Sequence, residues 1–348
     1  MTPELIAVLA VIAVALVFDY TNGFHDAANA IATSISTRAL TPRVALGMAA
    51  IGNFIGAHFG AEVAKTVGSG LVELPTGTAS LAIVFAGVVG AIVWNLITWY
   101  YGLPSSSSHA LIGGLVGSTV AASGTVLWSG IGQKVIVPMI LSPMVGLLLG
   151  YIVMVAVQWI FRRGHPGKLN RGFRWAQSAS AAAMSVGHGM QDAAKTIGIV
   201  VLALFVGGFQ GSPTHIPEWA FWTSAAVLAA GTYAGGWRII RTLGRKIIDL
   251  RPPEGFAAET VASSVLYFNA LVLGAPISTT HTITSAIMGV GATKRLSAVR
   301  WGVAGNIVGA WILTFPAAGS IGALTYFLVR PLFTEVGAGA LGVPPAGI

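Results

Sequence analysis

Two aspartates stand in matching settings in the two halves of the chain. Gly23-Phe24-His25-Asp26-Ala27-Ala28-Asn29 recurs as Gly189-Met190-Gln191-Asp192-Ala193-Ala194-Lys195. Both lie in apolar surroundings, where an ionised carboxylate costs at least ~2.5 kcal/mol even on the gentlest scale. Asp26 and Asp192 therefore call for a cation: a proton, a sodium ion or a divalent metal held between carboxylate oxygens. Asp192 could also pair with Lys195, one helical turn away. Lys195 replaces Asn29 of the first copy, which breaks the symmetry and makes it either an anion contact or an internal counter-ion.

A second repeated element carries hydroxyls. Pro104-Ser105-Ser106-Ser107-Ser108-His109 recurs as Pro276-Ile277-Ser278-Thr279-Thr280-His281, and each run precedes an apolar stretch. Proline favours the first helical turn, and the free N–H groups and positive dipole end found there attract anions. Ser106, Ser107, Ser108, Ser278, Thr279 and Thr280 are thus candidate donors to an oxyanion held between two helix starts, although the same residues also serve as plain helix caps. A carboxylate beside such a site repels the substrate unless it carries a cation, which points to coupled cation symport. Asp19 and Glu259, also in apolar runs, are further candidates for cation coupling or for local pairing. Of the histidines, His25, His109, His188 and His281 belong to these regions, and His109 and His281 form a repeat pair.

The elements that must position these groups are membrane helices. Of 348 residues 55% are hydrophobic and only 9% charged, with a mean hydropathy of +0.79, too little charge to clothe a water-facing surface. Ten crossings are expected, near 4–37, 44–70, 79–101, 104–122, 135–161, 175–209, 217–243, 257–274, 276–292 and 300–329. The net charge of +8 comes from basic clusters between apolar segments, around Arg38, Arg162 to Arg174, Arg238 to Arg251 and Lys294 to Arg300. They carry no aromatic platform for nucleic acid and read as topology signals that place all four clusters inside and both termini outside. The absence of cysteine removes disulfides and thiolate metal sites. The first residues lack the basic region of a cleaved signal peptide.

Three motifs in the same order in both halves indicate a duplication; the third is Lys65-Thr66-Val67-Gly68 with Arg241-Thr242-Leu243-Gly244. Five crossings per half would invert the second copy. The expected organisation is a first repeat over 1–161, a cytoplasmic basic linker over 162–174 and a second repeat over 175–348. Gly23, Gly189, Pro104 and Pro276 are expected to break helices near the midplane, where the paired breaks of inverted-repeat transporters form the substrate site. The expected fold class is thus an all-α integral membrane protein of two inverted repeats with broken helices. A secondary transporter of an oxyanion fits better than an anion channel, which has no use for a buried carboxylate pair. It also fits better than an intramembrane serine hydrolase, which would need its site only once.

On these motifs the chain resembles the inorganic phosphate transporter (PiT) family over nearly its whole length. Asn22-Gly23-Phe24-His25-Asp26-Ala27-Ala28-Asn29 is similar to the family's duplicated motif, which the second half matches through Gly189, Asp192, Lys195, Thr196 and Gly198. The resemblance implies a multi-pass protein of the cytoplasmic membrane, with no enzymatic activity and no resident cofactor, that carries inorganic phosphate with protons or sodium. It implies phosphate contacts at Asn29, Lys195 and Thr196 as well as the hydroxyl runs. His25 and Gln191 replace the asparagines usual in sodium-coupled members, and imidazole is a poor sodium ligand. The first motif looks more like the bacterial proton-coupled, low-affinity branch, associated with neutral metal-phosphate complexes. Sulfate, carried by some relatives, is the alternative substrate. Lipid and inorganic phosphate are the expected partners, with a homo-oligomer as a further expectation and no nucleic acid.

Overall fold

The computed structural model describes residues 2–340, so the last residues of the expected second repeat, 341–348, lie outside the described residues. Among the described residues the regular structure is helical apart from one pair of two-residue strands. The first half runs through α1 (Pro3–Ser36), α2 (Pro42–Ala57), α3 (Ala61–Ser69), β1 (Val72–Glu73), α4 (Thr78–Tyr101), α5 (Ser107–Ala121) and β2 (Thr125–Val126). It closes with α6 (Trp128–Ile131), which continues through the π-helical turn Gly132–Ile136 into α7 (Val137–Ile160). The second half comprises α8 (Pro166–Val206), α9 (Glu218–Ala234), α10 (Trp237–Arg241), α11 (Pro252–Phe268), α12 (Thr279–Ala292) and α13 (Trp301–Ala340). β1 and β2 pair antiparallel, Val72 opposite Val126. The order of long helix, interrupted pair, helix, short helix and long helix thus occurs from α1 to α7 and again from α8 to α13.

Helix starts follow local chemistry. Pro3, Pro42, Pro166 and Pro252 occupy first turns, where the missing N–H costs nothing. Because Pro166 opens α8, most of the expected linker 162–174 forms the exposed first turns of that helix.

Polarity is distributed inside out. Asp19, Asp26, Asp192, Lys195, Glu259 and both hydroxyl runs are buried, whereas large apolar side chains such as Leu148, Ile312 and Leu328 lie on the outer surface. Such a surface suits lipid and not water. Six helical rods are long and apolar enough to span a bilayer: α1, α4, α6 with α7, α8, α11 with its π turn, and α13. The α2–α3 pair, bent by 69°, makes a seventh if counted as one span. The expectation of ten crossings thus differs from the six to seven spans seen. α5, α9 and α12 contain 15, 17 and 14 residues, about 21–26 Å of helix against ~30 Å of hydrocarbon. Extended backbone around Pro104 and Pro276, and Gly235 with a positive φ of 76°, consume the remaining length without helical rise.

The glycine breaks expected at Gly23 and Gly189 do not occur; α1 and α8 run through them. These glycines serve close approach. A Cβ on Gly23 would lie 2.6 Å from the carbonyl oxygen of Leu228 in α9, and one on Gly189 would lie 2.4 Å from that of Asn53 in α2. The motif aspartates therefore sit mid-helix, held in place by tight helix crossings. Only the two prolines open the backbone.

Candidate functional site

The starts of α5 and α12 face each other in the centre. Ser108 Oγ donates to the carbonyl of Ile277 at 3.1 Å, and the rings of His109 and His281 meet edge to face with centroids 4.8 Å apart. Ser106 and Ser278 are the N-caps, accepting from the backbone N–H groups of His109 and His281 at 3.2 and 3.1 Å. Each Oγ accepts as a helix cap and keeps its own O–H as a donor. Ser107 and Thr279 lie one residue further on and Thr280 two, all buried with the motif residues of α1 and α8.

The contacts cross between halves. Asn29 Nδ2 of the first motif donates to Thr279 Oγ1 at 3.1 Å and Thr280 Oγ1 at 2.9 Å, both in the second hydroxyl run. Lys195 of the second motif reaches the first run, with Nζ 2.8 Å from Ser107 Oγ. Asn29 and Lys195 occupy equivalent motif positions, so each half's motif grips the other half's helix start. Ser107 then donates to Asp26 Oδ2 at 2.7 Å, and Lys195 pairs with Asp192 Oδ1 at 2.9 Å. A polar chain Asp26–Ser107–Lys195–Asp192 links the two aspartates.

The neighbouring motif positions position the site. His25 Nδ1 lies 2.7 Å from Asp26 Oδ1, while its Nε2 lies 3.0 Å from Thr98 Oγ1, to which Ser105 also donates at 2.8 Å. Gln191, the counterpart of His25, accepts from the Ile277 N–H at 3.2 Å and donates to the Ala275 carbonyl at 3.4 Å. Each braces the extended segment before its own helix start. Asn22 donates to Asp192 Oδ2 at 3.2 Å, and His188 Nε2 lies 3.1 Å from the same oxygen.

Asp26, His188 and Asp192 each offer a ligand atom, all within 4.8 Å of one another. The donor set of two carboxylates and an imidazole fits a proton or a divalent cation better than sodium, which prefers oxygen alone. Lys195 is already in place as one counter-charge. With His25 and His188 neutral, two motif carboxylates against one lysine leave a surplus negative charge.

Two expected coupling residues lie outside the polar chain, each held by hydroxyl or amide donors. Glu259 accepts from Thr33, from Gln177 at 3.2 Å and from Ser180 at 2.5 Å, with no cationic side chain among these partners. Asp19 accepts from Ser224 Oγ at 2.5 Å. Thr196 is buried in α8 beside Lys195. Sequence reasoning missed Thr98, Thr33, Gln177, Ser180 and Ser224, which partner the acids and His25 from other helices. Only Asn22, adjacent to the motif, carried a local signal.

A buried anion-type centre between opposed helix starts, inside a lipid-facing helical shell, defines a multi-pass membrane transporter. The model of the Phosphate transporter family matches residues 22–322. The chain belongs to the phosphate transporter family. It is 50% identical over 91% of its length to a probable low-affinity inorganic phosphate transporter of Rhizobium meliloti (strain 1021), covering 94% of that protein. It is 42% identical over 94% of its length to a protein of the same description from Bacillus subtilis (strain 168), covering 99% of it. Its fold matches a solved structure of the sodium-dependent phosphate transporter with a TM-score of 0.87, at 22% identity, over 94% of this chain and 99% of that one. Membership in this family sets the hydrolase reading aside, and with bacterial relatives the membrane is the cytoplasmic one.

Proposed function

We propose that the protein is a secondary active symporter of inorganic phosphate, driven by protons in preference to sodium, with the anion carried as free phosphate or as a neutral complex with a divalent metal. The observation that carries this reading is the polar chain Asp26–Ser107–Lys195–Asp192 between the opposed starts of α5 and α12. Ser107, Thr279, Thr280, Asn29 and Lys195 supply neutral and cationic donors to phosphate oxygens, aided by two helix dipoles. Thr196 joins them from the next position of α8. Ser106 and Ser278, which cap the helices through their oxygens, add their O–H groups as further donors, and Ser108, held on the Ile277 carbonyl, lines the same helix start.

Phosphate brings one to two negative charges to a centre that already holds a surplus one. In a poorly hydrated cavity that sum is unfavourable by several kcal/mol, so a proton or divalent cation at Asp26 and Asp192 must accompany the anion. Asp19 and Glu259 relay or hold further protons in this scheme. The two halves act as inverted repeats, one over 1–161 and one over 175–348. The reading is supported by the repeated element order and by helix starts that meet head to head.

The test is radiolabelled phosphate uptake by proteoliposomes, with sulfate as competitor and divalent cations present or chelated. Uptake indifferent to a large excess of sulfate is expected, and slowing by chelation would assign the neutral metal complex, rather than free phosphate, as the carried form. Equal competition by sulfate would reassign the substrate.

A further inference from the structure

We infer that the cleft between α7 and the end of α11 binds an anionic phospholipid whose acyl chain braces the extended segment leading into the substrate site. The cleft has a volume of about 640 Å³, within the size range of specific ligand sites. Its wall includes Leu141, Val145 and Leu149 of α7 and Phe268 of α11, of which Leu141, Val145, Leu149 and Phe268 are exposed on the lipid-facing surface. Leu149 lies fifteen positions beyond Lys134 along one helical rod, so the trough is ~22 Å long, the reach of an acyl chain. One end is cationic. Lys134 Nζ lies 3.2 Å from the neutral Thr66 Oγ1 and has no carboxylate within ion-pair distance among the described residues. An apolar trough with a single unpaired ammonium at its end matches an anionic phospholipid: the phosphodiester on Lys134, one chain along α7.

The occupant would touch the segment that leads into α12. The cleft is also lined by Leu273 and Ala275, which flank Gly274 in the left-handed region at φ 56°. Thr66, the acceptor of Lys134, itself donates to the Gly274 carbonyl at 2.8 Å. The Ala275 carbonyl accepts from Gln191, which also accepts from the Ile277 N–H two residues before Thr279. A lipid in the cleft therefore packs against the π-helical turn Asn269–Leu273 at the end of α11 and the extended stretch that position α12. None of this depends on which anion is transported.

Native mass spectrometry of the purified full-length protein tests the site, with phosphatidylglycerol or phosphatidylcholine added. One ammonium near an anionic headgroup is worth about 1 kcal/mol, so wild type should retain phosphatidylglycerol about fivefold better. Lys134→Gln should erase that preference, and Val145→Trp, which fills the trough, should reduce retention of both lipids. Hydrogen exchange at residues 269–278 should be slower with phosphatidylglycerol than with phosphatidylcholine in wild type, and not in Lys134→Gln. Equal retention of both lipids by wild type, or an unchanged preference in Lys134→Gln, would overturn the proposal. Exchange at 269–278 that ignores the bound lipid would remove the bracing role.

Discussion

Lys195 is the residue on which the centre's electrostatics turn, because it is buried, pairs with Asp192 and donates to Ser107. Lys195→Met leaves Asp192 buried without its main counter-charge, a loss of about 3–5 kcal/mol. The expected outcome is a sharp fall in the thermal midpoint in detergent, largely recovered in the Lys195→Met/Asp192→Asn double variant. A double variant no more stable than the single one would show that the pair is not the reason Lys195 is retained. Ser107→Ala and Thr279→Ala remove donors without altering charge. Each should weaken phosphate binding ten- to a hundredfold, about 1.5–3 kcal/mol per lost bond to a charged oxygen, and unchanged affinity in both would return these runs to helix capping. The motif acids and the hydroxyl runs were legible in the sequence because they recur at matching places, and Asn29 through the family resemblance. The split within each run was not, since Ser106 and Ser107 differ only in where the helix begins. Nor were the Glu259 partners legible, because Thr33, Gln177 and Ser180 come from two other helices and repeat nothing.

At the scale of elements, the prolines kept the meaning read from the sequence and the glycines did not. Pro104 and Pro276 lack a donor and disfavour helix at the residue before them, so extended backbone follows directly from residue type. Gly23 and Gly189 tolerate either a break or a close crossing, and the choice depends on α9 and α2, which a local reading cannot see. The same logic predicts unequal effects of adding one methyl group. A Cβ on Gly56 would lie 2.1 Å from the Val186 carbonyl oxygen, and one on Gly117 would lie 2.0 Å from that of Gly319, whereas Gly302 faces open space. Gly56→Ala and Gly117→Ala should each cost about 1–3 kcal/mol or more and lower the thermal midpoint by several degrees, with Gly302→Ala near wild type. Equal midpoints for all three would contradict the close crossings α2 on α8 and α5 on α13.

At the scale of the whole molecule, the charge clusters predict orientation. Cysteines introduced at Gly167 and Ser212, in a chain that has none of its own, should label from opposite sides of the membrane, with Gly167 cytoplasmic. Labelling of both from outside would reverse or break the proposed topology. The number of spans was harder to read than their presence, since α5 and α12 are helical but, at 15 and 14 residues, too short to cross alone. The central claim is that phosphate moves with a cation bound at Asp26 and Asp192. The measurement closest to it is phosphate accumulation in sodium-free proteoliposomes with an imposed proton gradient, comparing wild type with Asp26→Asn and Asp192→Asn. Asn is nearly isosteric and cannot release a proton. Wild type should concentrate phosphate above the external level and lose it on adding a protonophore, while both variants should at most equilibrate it. Accumulation at the wild-type rate in both variants, or wild-type uptake that follows a sodium gradient and ignores protons, would contradict the account.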